Sequence, residues 1–358
     1  MRQSIGLRLL VIIGDGRSDL ILQWHHACCD GLGMSGFIRD LLLAYAAETN
    51  TTGHPPRLPR LNPELLRDRG GIESSGSNKL VGLRRQFMSL KRALRFYCHH
   101  PVPLVPHRPR PDDASPPENY PATCHRLLSR PETDALRCWA QNEGATLNEL
   151  LIRELFLAMD RLRRDRGHDD GREWMRMMVP ISLRRPGDRR LPAADVVSSV
   201  FLDRRGKDVI DPRKLLTGIR KEMKRIADNQ LQWTFPRTLS VLRRLPGGIA
   251  GSVRRHRCSM TCIFTNVGEL FRRLPLAKSD SRYVVGNVIF ESIDGLAPIR
   301  PYNCLTLATV AYAGRRTINL HYDPQILSAE LASQFWDAYL SRVLTLAGDP
   351  AKAASQMP

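Results

Sequence analysis

Apolar runs of strand length alternate with amphipathic helical stretches along most of this chain, but not in the strict strand-helix order that a parallel, doubly wound sheet requires. The strand-length runs are Leu7 to Ile13, Leu20 to Trp24, Thr123 to Leu128, Trp174 to Ser182, Val196 to Leu202, Met260 to Thr265, Val284 to Phe290, Leu305 to Tyr312 and Thr317 to Tyr322. Helical periodicity covers Ser35 or Gly36 to Ala47, a stretch with Pro131 in its first turn and Gly144 past its end, Thr146 to Arg163, Asp211 to Asp228, Pro236 to Leu245, and a last helix from Ser328 as N-cap to Leu346. No P-loop is present. The pattern predicts an α/β protein with mixed sheets and argues against a Rossmann domain. A chain of 358 residues exceeds the usual single core, so two lobes are expected.

Segment 49–78 is rich in threonine, proline, glycine and serine, segment 99–121 carries eight prolines, and both read as linkers. The second divides the chain into a lobe over 1–117 and a lobe over 118–358. No apolar run approaches the roughly 20 residues that span a bilayer. Leu7 to Ile13 is too abruptly ended by Gly14-Asp15-Gly16 to be a signal-peptide core and reads as a strand. The formal charge of +18 raises polyanions as partners, yet the arginines are spread along the chain in pairs without interleaved aromatics. A solvated, arginine-rich surface and no nucleic acid are expected. Eight cysteines without a CxxC pair imply free thiols in a reducing cytoplasm.

Lys79 to Tyr97 is a basic amphipathic helix: Leu80, Leu83, Phe87, Leu90, Leu94 and Tyr97 share one side, while Arg84, Arg85, Lys91, Arg92 and Arg95 fall largely elsewhere. Two readings stay open. Such a helix lies on an anionic membrane, as a peripheral contact, or packs its apolar side on the protein body with its arginines in water.

The chemistry is expected in Asp19 to Gly36, where a buried strand ends in His25 and His26 and an Asp30-Gly31 turn leads into a helix. Imidazole titrates near neutral pH and takes a proton from a hydroxyl, thiol or amine held within hydrogen-bonding distance. Packing histidines at a strand end is the structural alternative. Cys28 and Cys29 beside the histidines raise zinc, but neighbours on an extended strand point to opposite faces, so no metal is expected.

His25-His26-Ala27-Cys28-Cys29-Asp30-Gly31 has the form HHxxxDG. It resembles the condensation-domain and CoA-dependent acyltransferase superfamily, which includes chloramphenicol acetyltransferase and wax ester synthase/diacylglycerol acyltransferases. Further segments follow in the family's order: Ala145 to Leu151 is similar to its "aTxNd" helix start, Val179 to Arg184 to "vPvslR", Phe264 to Gly268 to "(S/T)NvpG", and Leu305 to Asp323 to its "sYxGxlxlxxxyD" hairpin. The resemblance spans Leu7 to about Leu346. It implies a two-lobed chloramphenicol acetyltransferase-like fold with donor and acceptor entering a tunnel. His26 would be the general base, and no acyl-enzyme forms. His25 and Gly31 would be structural, Asp30 would pair with Arg184, and Asn148, Thr265 and Asn266 would line the tunnel. No cofactor is permanently bound. The cosubstrate is acyl-CoA or a carrier-bound acyl thioester, and the acceptor an alcohol or amine. Where the family often has glycine-asparagine, this chain has Ala194-Asp195.

In the family a set of strands and helices precedes the motif, whereas here His25 follows only 24 residues. The resemblance thus implies an incomplete first lobe with an unpaired strand edge and an apolar patch. A start placed too far downstream, a partner chain that completes the lobe, and a truncated non-catalytic binding module are the open explanations.

Overall fold

The computed structural model describes residues 6–49, 55–59, 64, 83–106, 120–168, 171–184, 193–253, 258–300 and 303–348. Most of the expected linker 49–78, the middle of the linker 99–121 and most of the loop 184–195 lie outside the described residues. The chain forms two units, one of Met1–Leu80, Ser182–Val197 and Leu270–Glu291, the other of Val81–Ile181, Ser198–Glu269 and Ser292–Pro358. A single division near residue 117 does not describe this arrangement, because the chain returns to the first unit twice.

In the first unit, β1 (Leu7–Gly14) and β2 (Arg17–Trp24) pair antiparallel, with Leu7 opposite Trp24 and Gly14 opposite Arg17. Asp15-Gly16 makes the tight connection, and Gly16 has the positive φ (+69°) that such a turn demands. Both faces of this hairpin are apolar and open to solvent: Leu9, Leu10, Val11, Ile12, Leu20 and Ile21 are all exposed, and Ile13 is 81% exposed.

Helix α1 (Gly31–Glu48) begins a turn earlier than Ser35 or Gly36, because Asp30 is its N-cap and accepts from the Gly33 amide. The apolar run Val284 to Phe290 is not one strand. It divides into β8 (Arg282–Val285) and β9 (Val288–Ile289), joined to β7 (Lys278–Ser279) in a small meander. Gly286 breaks the run with φ +59°, and a Cβ there would fall 1.8 Å from Thr49 Oγ1, at the end of α1. Tyr45 on α1 donates to Asn287 Oδ1 at 2.9 Å, which ties the helix to this meander.

The second unit contains α2 (Leu83–Cys98), β3 (Ala122–Leu128), α3 (Arg130–Asn142), α4 (Leu147–Asp165), β4 (Trp174–Ser182), β5 (Val197–Arg205), α5 (Pro212–Asp228), α6 (Thr234–Arg244), β6 (Cys262–Glu269), β10 (Leu305–Tyr312), β11 (Arg315–Tyr322) and α7 (Ala329–Gly348). Its sheet has the order β3-β11-β10-β6-β4-β5. Strands β10 and β11, and β11 and β3, are antiparallel, whereas β6 runs parallel to both β10 and β4. The sheet is therefore mixed. Helices α3, α4 and α7 pack on one another, and Leu150, Leu155 and Phe156 of α4 join Leu307, Ile318 and Phe335 in one apolar core. Capping boxes at Ser129/Glu132 and Thr146/Glu149 start α3 and α4 where the sequence places them.

Candidate functional site

The site in the first unit grows out of the end of β2. The His25 amide donates to Gly6 O at 2.8 Å, the last backbone link of the hairpin. A turn follows, closed by Cys28 N to His25 O at 2.8 Å and by Trp24 Nε1 to Cys29 O at 3.1 Å. His25 Nδ1 accepts from the Ala27 amide at 3.2 Å, so its ring is engaged in holding the turn. The His26 side chain is about half exposed.

Asp30 fixes what lies around it. One carboxylate oxygen accepts from Gly33 N at 2.8 Å, and the other from Arg184 Nη1 at 2.6 Å and Val196 N at 2.8 Å. Arg184 also donates to Ala194 O at 2.8 Å, and Asp30 N donates to the same carbonyl at 3.2 Å. Asp30 is buried, and a carboxylate out of water needs such partners to be tolerated. A Cβ on Gly33 would lie 2.7 Å from Ala194 O, so glycine at that position lets the strand-entry segment 194–196 approach the helix start. Gly31 is simply the first residue of α1.

The consequence is the placement of Asp195. With its flanking residues pinned by Asp30 and Arg184, its carboxylate oxygen lies 3.3 Å from His26 Nδ1. The hydrogen bond to Asp195 and its negative charge raise the His26 pKa above the ordinary histidine value, against the opposing effect of partial burial. A carboxylate at Nδ1 keeps the proton on that nitrogen and leaves Nε2 as the basic atom. Burial pushes the Cys29 thiol up to about 11, which withholds the thiolate a nucleophile would need. Among the described residues no group of three or more histidine, cysteine or acidic side chains gathers to hold a metal.

Asn148, Thr265 and Asn266 belong to the second unit. Asn266 on β6 donates from Nδ2 to Asn148 Oδ1 at 3.2 Å, and its Oδ1 accepts from Gly268 N at 2.9 Å and Arg316 Nη1 at 3.3 Å. Thr265 sits opposite Ala308 on β10. Arg316 is buried, donates also to Thr309 Oγ1 at 3.1 Å, and has its pKa lowered by burial to about 10.

No protein-family model and no curated protein matches the sequence. Solved structures do. The first condensation domain of the CDA synthetase superposes with a TM-score of 0.60 at 13% identity, over 98% of this chain and 69% of that one. Trichothecene 15-O-acetyltransferase from Fusarium sporotrichioides gives 0.68 at 12% identity, over 96% and 70%. The epimerization domain from the third module of tyrocidine synthetase B gives 0.58 at 14% identity, over 98% and 73%. The chain has the condensation-domain and acyltransferase fold.

On this condensation-type fold, Asp195 joins the first unit's site and Arg316 the Asn266 cluster of the second unit, and sequence reasoning assigned neither. Asp195 was visible only as a departure from a glycine-asparagine pair, 169 positions from the histidine it touches. Arg316 follows Arg315 at the start of β11, and strand alternation sends one inward and the other outward. That alternation was the available signal.

Proposed function

We propose that this chain transfers an acyl group from a thioester to a hydroxyl or amine acceptor, with His26 as general base. The observation that carries the reading is the geometry of His26: a half-exposed imidazole whose Nδ1 meets Asp195 at 3.3 Å, in a turn braced by the buried Asp30 and Arg184 pair. The likeness of the fold to an acetyltransferase and to condensation domains supports it.

His26 Nε2 takes the acceptor proton as the acceptor oxygen or nitrogen attacks the thioester carbonyl. The tetrahedral intermediate collapses with cleavage of the carbon-sulfur bond, and the imidazolium returns the proton to the departing thiolate. The new ester or amide bond replaces the thioester, and the proton balance closes on His26. Asp195 stabilises the imidazolium that forms between the two steps. Asp30, Arg184, His25 and Gly31 hold the turn, and Asn148, Thr265 and Asn266 line the path of a substrate. The raised thiol pKa of Cys29 supports direct transfer without an acyl-cysteine. Acyl-CoA is the proposed donor.

The test is acceptor-dependent thiol release by the full chain, with acyl-CoAs of several lengths and an acylated carrier protein as donors, and alcohols and amines as acceptors. Release of CoA only when an acceptor is present supports the proposal. Release from the carrier alone reassigns the donor, and thioester binding without release from any donor makes the chain a binding module.

A further inference from the structure

The second unit presents a surface that acyl transfer does not use. Helix α2 is turned opposite to an ordinary surface helix. Phe87, Leu90, Leu94 and Tyr97, spaced to form one stripe, face solvent, with Phe87 67% exposed. Its arginines turn to the body instead: Arg92 donates to Phe201 O at 2.8 Å and Glu222 Oε1 at 3.4 Å, and Arg95 Nη2 to Asp203 O at 3.5 Å. The buried carboxylates of Asp203 and Glu222 explain the inversion, since each needs cationic partners out of water.

Helix α6 packs beside α2, linked by the Ser89 and Thr234 hydroxyls at 2.7 Å. It too exposes apolar side chains, at Val241 and, just past its end, at Leu245 (53% exposed). The charges that these two helices themselves carry have one sign. Lys91, Arg237, Arg243 and Arg244 are exposed, and the sequence contains no aspartate or glutamate from Lys79 to Pro111 or from Asn229 to Gly268.

We propose that the α2 and α6 surface docks on an anionic lipid bilayer. Phe87, Leu90, Leu94, Val241 and Leu245 enter the boundary between headgroups and acyl chains, while the lysine and arginines meet the lipid phosphates. The exposed apolar stripe favours lipid over nucleic acid, for which the arginines of α2 would have to face outward. Large apolar side chains exposed on two adjoining helices beside exposed lysine and arginines are also more than solubility tolerates without a use. The inference is independent of the acyl-transfer reading.

Co-sedimentation of the full chain with vesicles tests it. The expected result is binding to vesicles of phosphatidylcholine with phosphatidylglycerol, little binding to phosphatidylcholine alone, and weakening as salt is raised. The double variant Phe87→Ser, Leu94→Ser should bind at least about tenfold more weakly. Both side chains are already exposed, so its circular dichroism should match that of the parent. Arg243→Gln with Arg244→Gln provides a charge arm that leaves the apolar stripe intact and should also weaken binding. Absence of vesicle binding, equal binding to neutral vesicles, or binding indifferent to the serine variant overturns the proposal. So does self-association or duplex binding that the same variant abolishes in place of lipid binding, which assigns the surface to a second copy or to nucleic acid.

Discussion

Removing the Asp30 carboxylate should unfasten the first unit at the point where its segments meet. Asp30→Ala deletes the N-cap of α1, the partner of Arg184 and the acceptor of the Val196 amide at one stroke. Loss of an N-cap costs about 0.5–2 kcal/mol, and breaking a buried ion pair costs about 3–5 kcal/mol. One carboxylate serves all three bonds and Arg184 keeps 16% of its side chain in water, so the terms overlap and about 3 kcal/mol is expected. For a unit of little over 100 residues that lowers the melting temperature by roughly 10–15 °C. Asp195→Ala provides the contrast, because the His26 and Asp195 side chains are 48% and 34% exposed and such pairs contribute little, within about 0.5 kcal/mol. Thermal melts followed by circular dichroism, with amide hydrogen exchange at Gly33 and Val196, measure both. If Asp30→Ala melts within about 1 °C of the parent, or Val196 stays as protected as before, the bracing role assigned to Asp30 is wrong.

The pH profile of Asp195→Asn carries a sign that follows from the raised His26 pKa. A general base works in its neutral form, so the acidic limb of kcat/KM should be raised from the ordinary histidine value in the parent and move to lower pH in the variant; a purely structural Asp195 would leave the limb in place. Burial raises the thiols of Cys29 and Cys258 to about 11 and Cys304 to about 12, so iodoacetamide at mildly basic pH should label the exposed Cys28, Cys98 and Cys138 first by mass spectrometry; early labelling of Cys29 would contradict its burial. Asn266→Ala leaves the Gly268 amide without its acceptor and the buried Arg316 guanidinium with Thr309 Oγ1 alone in place of two acceptors, and should lower stability by about 1–3 kcal/mol in urea titration. A neutral result there would mean that the network across β6 relaxes around the gap.

What the sequence made legible was local. The capping boxes at Ser129 and Thr146 and the Asp211-Pro212 start of α5 are short-range chemistry, and the helices begin there. The start of α1 was hidden because Gly31, Gly33 and Gly36 are poor helix formers, whereas the tolerance of Gly33 is explained only by Ala194, far along the chain. The amphipathic stripe of α2 was visible, but not its direction. Which side faces the body is decided by Asp203 and Glu222, which lie on other elements. Asp30, His26 and Arg184 could be named from the motif segments. Asp195 could not, since only folding brings it to the imidazole.

The central claim is that His26 accepts the proton of the attacking group. Its direct measurement is the steady-state rate of acceptor-dependent thiol release by His26→Ala beside the parent, at saturating donor and acceptor, with the melting temperature of each recorded. The account predicts a loss of at least ~100-fold in kcat with an unchanged melt, as removal of a general base entails. A parent that turns over and a His26→Ala variant that keeps its rate would contradict it.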